Sequence, residues 1–196
     1  MTTVYFVRHA EADAYFSDQR TRPLTEKGLQ DRKLVTTFFQ HKNIDAVLSS
    51  PFKRAIDTIA EFSDNNGFDV ELVEDFQERK GDSGLAWGNG DKMSDIKLAD
   101  IKRQWSDFSY TYSDGECYAK VQARNIAALN SVLARYKNKT IVIGTHGISL
   151  SMIINYYDSA FGFEEFMKMV YITPWIVKIK FHGDVCVDIE KIDLFA

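Results

Sequence analysis

Val4-Tyr5-Phe6-Val7-Arg8-His9-Ala10-Glu11 opens the chain with a continuous apolar run that delivers an Arg and a His side by side at its C-terminal end. A strand with no polar alternation is one covered on both faces, as in the parallel sheet of an α/β protein. In such sheets ligands bind beyond the carboxyl ends of the strands, so position alone makes Arg8 and His9 candidates for a site. A neutral imidazole can attack phosphorus, and a neighbouring guanidinium can hold phosphate oxygens bidentately while staying charged. Taken alone, an Arg-His pair is better read as a solvated strand end, since two-residue motifs recur by chance.

Two later stretches repeat the arrangement. Ala46-Val47-Leu48 runs into Ser49-Ser50-Pro51-Phe52-Lys53-Arg54-Ala55, and Ile141-Val142-Ile143 leads to Thr145-His146-Gly147. With these residues the chain resembles the histidine phosphatase superfamily, the phosphoglycerate-mutase-like proteins. The family pattern is an early Arg-His-Gly, a Ser-x-x-x-Arg-Ala segment, a Glu-containing segment and a late His-Gly. The likeness spans residues 4–177 in the family's order. Asp75-Phe76-Gln77-Glu78-Arg79-Lys80-Gly81 is similar to the Glu-Arg segment, which puts Glu78 at the proton donor's position. Gly115-Glu116 matches the start of a Gly-Glu-Ser segment, with Cys117 in place of Ser.

Two positions depart from the pattern. Ala10 stands where Gly is usual; at positive φ an Ala would cost about 1–2 kcal/mol, so an ordinary backbone is expected there. Tyr15 stands where mutase-like members carry Asn. With the segment over residues 18–28, it makes the chain look more like the small phosphatase branch, which includes the phosphohistidine phosphatases.

The 196 residues are 45% apolar and 27% charged with a formal net charge of −4, as in a soluble globular protein and without the basic excess of a general nucleic-acid binder. We expect one domain over residues 1–196, with an insertion at about 79–113. Cys117 and Cys186 form no CxxC, suit a reducing compartment as buried thiols and suggest no metal site. The apolar stretch at residues 148–154 is too short and serine-rich for a bilayer, so the expected location is cytoplasmic, with no membrane partner and an open oligomeric state.

In chain order, strands are expected at residues 3–7, 44–48, 70–73 and 140–143, with an antiparallel hairpin at 175–181 and 185–189. Thr25 caps a first helix whose apolar stripe is Leu29, Leu34, Val35, Phe38 and Phe39. Ser50 reads as N-cap and Pro51 as the first position of a second helix that carries Arg54 in its first turn. Arg54 then points toward the strand ends, or pairs with Asp57 or Glu61. Asn65-Asn66-Gly67 reads as a turn, and residues 116–136 as a long amphipathic helix. The segment 79–113, with Trp87 and Trp105, reads as a mostly helical cap over the strand ends; Trp105 is expected in a small core of the segment's own. The helix beginning near Ile148 would aim its N–H groups at a bound anion.

The expected fold is thus a three-layer α/β/α sandwich with a mostly parallel sheet. The resemblance implies phosphate monoester hydrolysis through a phosphohistidine on His9. Arg8, Arg54 and His146 would surround the phosphoryl oxygens, and Glu78 would serve as acid and then base, unless it pairs with Arg79. Gly147 and Arg22 complete the candidate substrate contacts, while Arg20 and Arg22 could equally be solvated or paired. Neither metal nor cofactor is required, and the partner is a small phosphorylated substrate. A mutase-type phosphotransferase, a phosphohistidine protein phosphatase and a non-catalytic phosphate- or protein-binding module remain alternatives.

Overall fold

The apolar run at the N-terminus becomes β1 (Thr2–Arg8) in the middle of a six-stranded sheet, and its alternate side chains serve two different cores. Val4 and Phe6 join a cluster on one face, while Tyr5 and Val7 join a cluster on the other. Since strand side chains alternate in direction, this split explains why every position had to be apolar. Each such fully buried side chain contributes about 1.5–3 kcal/mol of transfer free energy. The computed structural model describes residues 1–85, 88–89 and 92–195.

Among the described residues the sheet has the order β3-β2-β6-β1-β7-β8. Strands β2 (Ala46–Ser49), β3 (Val70–Leu72) and β6 (Thr140–Thr145) run parallel to β1 and to one another. The hairpin β7 (Trp175–His182) and β8 (Val185–Ile192) adds two antiparallel strands beside β1. Helices α1 (Glu26–Phe39) and α2 (Lys53–Asn66) cover one face, through Val35, Phe39, Ile59 and Phe62. The other face is covered by α4 (Tyr118–Arg135), α5 (Gly147–Tyr157) and α6 (Phe163–Met169). The expected α/β sandwich, parallel core and closing hairpin are all present.

Four local expectations are corrected. Thr25 does cap α1, accepting from the Gly28 amide at 3.0 Å. Yet Leu29 is exposed, and Gly28 is the residue turned inward: a Cβ there would come within 2.0 Å of the Glu11 carbonyl oxygen. Secondly, α2 starts at Lys53 with Phe52 as its N-cap, so Ser50 does not cap it and Pro51 is not its first residue. Thirdly, Asn65 and Asn66 belong to α2, whose end is the left-handed Gly67 (φ 68°).

The fourth concerns residues 79–113. This stretch holds a two-residue hairpin, β4 (Gly88–Asn89) with β5 (Lys92–Met93), and the helix α3 (Asp95–Ser106). Trp105 is not in a private core: its ring packs against Phe108, Tyr118, Phe161 and Phe166, the latter three in or beside α4 and α6. Of these partners only Phe108 belongs to the segment, so the ring is buried mainly by the body of the domain. Trp87 lies outside the described residues.

Candidate active site

Because β2, β6 and β1 are adjacent and parallel, their C-terminal ends place three polar residues in a row. The His9 amide donates to the Thr145 carbonyl at 3.0 Å, and the Ser50 amide to the Gly144 carbonyl at 2.8 Å. The His9 and His146 rings meet edge to face with centroids 5.3 Å apart. His9 Nδ1 lies 2.7 Å from the Ala10 carbonyl oxygen. A carbonyl only accepts, so Nδ1 carries the proton and Nε2 is left unprotonated. Burial, then the Arg54 and Arg8 charges, hold the His9 pKa well below the usual imidazole value, against the opposing pull of the Ala10 hydrogen bond.

Ala10 itself is buried, and its amide donates to Thr58 Oγ1 at 2.9 Å. Among the described residues Asn138 is the non-glycine at positive φ, so Ala10 has the ordinary backbone expected of it. His146 is fully buried, with Nε2 2.7 Å from Ser50 Oγ and no partner at Nδ1 among the described residues. Ser50 Oγ accepts from the Phe52 amide at 3.3 Å, which leaves its own proton to donate to His146 Nε2. In that arrangement His146 Nδ1–H is a buried donor without a partner. Burial and the Arg54 charge hold its pKa well below the usual value as well.

Both imidazoles therefore resist protonation in the fold, and the stability consequence has a definite sign. Below about pH 6.5 the unfolded chain takes up protons on these residues while the native one does not, so stability falls as pH drops. For the fully buried His146 the slope is about 1.4 kcal/mol per pH unit below that point. Urea unfolding at stepwise lower pH is expected to show His146→Gln losing stability less steeply than the wild type. Parallel curves would mean that His146 does not contribute.

The cations differ in how they are held. Arg8 Nη1 donates to the carbonyls of Met169 (2.7 Å) and Ile172 (2.9 Å), and Nη2 to that of Val170 (2.8 Å). Three of its five N–H donors are thus spent on the backbone at and just after the end of α6, and the buried Nε has no partner among the described residues. The edge that carries Nε is the part of the guanidinium not taken up by these carbonyls. Gly147 lies against that guanidinium: a Cβ there would be 3.4 Å from Nε. Arg54, in the first turn of α2, donates Nη1 to the Gln19 carbonyl at 2.7 Å. It pairs with neither Asp57, which binds Lys53, nor Glu61, which meets Arg32. Burial pushes the pKa of Arg8 and of Arg54 down to about 10, opposed in both by the nearby Glu78 carboxylate.

Arg22 donates Nε and Nη2 to the Phe16 carbonyl, and its charge is felt at both His9 and Arg54. Arg20 instead forms an exposed pair with Glu74 at 2.8 Å. Tyr15 is 87% exposed to solvent. Both thiols are free, Cys117 buried and Cys186 half-buried.

Glu78 occupies the place the sequence suggested for a bound anion. Its Oε2 accepts from the Ile148 amide at 3.1 Å, and Oε1 from the Ser149 amide at 3.2 Å and the Arg79 amide at 2.8 Å. The N-terminus of α5 is therefore filled by the chain's own carboxylate, which the free N–H groups and helix dipole favour. Glu78 does not pair with the Arg79 side chain, which turns to Asp82 and the Glu116 carbonyl.

His9, His146, Arg8, Arg54, Gly147 and Glu78 thus converge, Arg22 stands beside them, and an excess of positive charge faces an imidazole nitrogen. That arrangement suits a dianionic phosphoryl group. Sequence reasoning missed Ser50 as the partner of His146 and Ser149 as a donor to Glu78, because neither contact is local. Among the described residues no group of three His, Cys, Asp or Glu converges as metal ligands do, and no helix is long and apolar enough to cross a membrane.

Known proteins bear on this geometry. Residues 4–187 match the histidine phosphatase superfamily (branch 1). Phosphoserine phosphatase 1 of Hydrogenobacter thermophilus is 25% identical over 158 residues, which cover 76% of this chain and 73% of that protein. Phosphoserine phosphatase of Entamoeba histolytica, solved in complex with 3-phosphoglyceric acid, aligns over 100% of both chains with a TM-score of 0.73 and 20% identity. YhfR of Bacillus stearothermophilus aligns over 95% of each chain with a TM-score of 0.73 and 21% identity. At these identities the two structures speak for the fold, and the match over residues 4–187 speaks for the family. The chain belongs to the histidine phosphatase superfamily, branch 1.

Proposed function

We propose that this protein hydrolyses small phosphate monoesters through a phosphohistidine on His9. The observation that carries the reading is the His9 ring, whose Nδ1–H is tied to the Ala10 carbonyl so that Nε2 keeps its lone pair. Nε2 attacks phosphorus, the bond to the leaving oxygen breaks, and protonated Glu78 supplies that oxygen with its proton. Water then attacks the phosphohistidine, Glu78 takes the proton back, and the N–P bond breaks to release inorganic phosphate. Arg54, the unpartnered Nε of Arg8 and the Nδ1–H of His146 supply donors and charge to the phosphoryl oxygens. Gly147 keeps α5 close to the Arg8 guanidinium, and Arg22 faces the leaving group. These cationic groups do the neutralising for which other phosphatases use a metal, and the site needs no cofactor.

Residues 1–196 work as one domain in which residues 79–113 form a cap over the strand ends and choose the leaving group. The protein acts in the cytoplasm on small phosphorylated acids; the relatives named for phosphoserine make phosphoserine and phosphoglycerate the first compounds to try. Hydrolysis rather than mutase activity is supported by the exposed Tyr15, which brings no amide to a second substrate orientation. Purified protein in chelator should release inorganic phosphate from several monoesters. With a bisphosphate primer it should not interconvert 2- and 3-phosphoglycerate measurably. Isomerisation much faster than phosphate release would replace this reading with a mutase, and the absence of both with a binding module.

A further inference from the structure

The chain leading into Glu78 is fastened to α4 by a guanidinium. Arg124, on α4, donates Nη1 to the carbonyl oxygens of Asp75 (2.6 Å) and Gln77 (2.8 Å), on the chain just before Glu78. Its other edge forks onto Glu116, with Nε 2.8 Å from Oε1 and Nη2 2.9 Å from Oε2. The two side chains are 15% and 20% exposed, and the Glu116 carboxyl is held below its usual pKa by Arg124, against the effect of burial. On the other side of Glu78, Arg79 Nε donates to the Glu116 backbone carbonyl at 2.6 Å. Residues 116 and 124 therefore hold the chain both before and after the carboxylate.

We propose that Arg124, aimed by Glu116, is a positioning residue for Glu78, a role that rests on the reading of Glu78 as proton donor. Its guanidinium is taken up on both edges by these contacts, so Arg124 acts through the loop and does not reach the phosphoryl group. The planar fork satisfies a carboxylate on one edge and two carbonyls on another at once. A lysine ammonium at the same place keeps the charge but cannot span both. The carbonyls of Asp75 and Gln77 lie within and just after a short 3-10 turn (Glu74–Phe76), where no longer helix or strand fixes them. Without the guanidinium the Asp75 carbonyl loses this tie, and the loop is left with Ser149 Oγ, 2.7 Å from the Gln77 carbonyl, and the amide bonds to the Glu78 carboxylate itself.

A positioning defect has a signature that a structural defect lacks. Protonation of the leaving oxygen matters for an alkyl phosphate and little for an activated aryl phosphate. Arg124→Lys is expected to lower kcat on the alkyl ester about 10- to 100-fold while changing the aryl rate less than about threefold. Glu116→Gln, which leaves Arg124 in place but unaimed, should shift the same ratio in the same direction and supplies a second variant if the first unfolds. In a Glu78→Gln background Arg124→Lys should change the alkyl rate less than about twofold, since the group it positions is already gone. Equal slowing of both esters by Arg124→Lys and Glu116→Gln, or an undiminished effect in the Glu78→Gln background, would overturn the proposal while leaving Glu78 its role. Equal slowing of both esters by Glu78→Gln alone would remove the proton donor and the positioning role together.

Discussion

His9→Ala is expected to abolish turnover, lowering kcat about ten-thousandfold or more on every phosphate monoester the wild type hydrolyses. The effect is large because the imidazole is the bond-forming group, and no other nitrogen can take its place. His146 lies nearest, but its Nε2 is engaged by Ser50 and the ring is fully buried. The fold should survive, since the His9 side chain bonds to its own neighbour Ala10 and ties no distant element. Two readouts check this together. Phosphate release reports the loss of activity, and rapid acid-free quenching with a labelled ester should trap an acid-labile phosphoryl group on the wild-type protein and none on the variant. Undiminished hydrolysis by His9→Ala would show a different nucleophile.

Arg54→Gln should come next in size, with kcat/KM down about a thousandfold, the scale of a cation removed from a transferring phosphoryl group. A second, less intuitive result should accompany it. The Arg54 pKa is pushed down to about 10 by burial, which means that the fold disfavours the charged form it must hold. Removing the charge relieves that cost, so in phosphate-free buffer the variant should melt no lower than the wild type. Inorganic phosphate should raise the wild-type Tm by binding the native state, and raise that of Arg54→Gln much less. A variant that loses activity together with a large drop in Tm would instead mark Arg54 as structural.

Much of this architecture is legible in the sequence, for a physical reason. Strands β1, β2 and β6 are covered on both faces, so Val4 to Val7, Val47 to Leu48 and Ile141 to Ile143 leave unbroken apolar runs. The polar residues that end each run, Arg8 and His9, Ser49 and Ser50, Thr145 and His146, mark the ligand-binding edge of the sheet. The contacts that cross between elements left no such trace. Ser50 reads locally as a helix cap, and only the arrival of His146, 96 residues on, gives its hydroxyl another partner. Among the acids near residue 75, local pattern cannot separate Glu74, which pairs with Arg20 on the surface, from Glu78, which reaches the start of α5. The backbone anchoring of Arg8 was out of reach in the same way, because the carbonyls that take its Nη groups lie more than 160 positions later. Leu29 fits a helical stripe on paper, but the close pass of Gly28 over Glu11 rotates α1 and turns Leu29 outward.

The seating of Trp105 among Phe108, Tyr118, Phe161 and Phe166 limits how such proteins can be re-engineered. Transplanting residues 79–113 from a relative, as a cassette meant to change which leaving group is accepted, would bring in a new side chain at 105 against an unchanged Tyr118, Phe161 and Phe166. A smaller residue there leaves a void and a larger one overfills the socket, and either outcome costs on the order of 1–5 kcal/mol. Chimeras should therefore carry the aromatic socket along with the cassette, because the boundary at which the two parts separate cleanly is a packing surface and not a pair of chain positions.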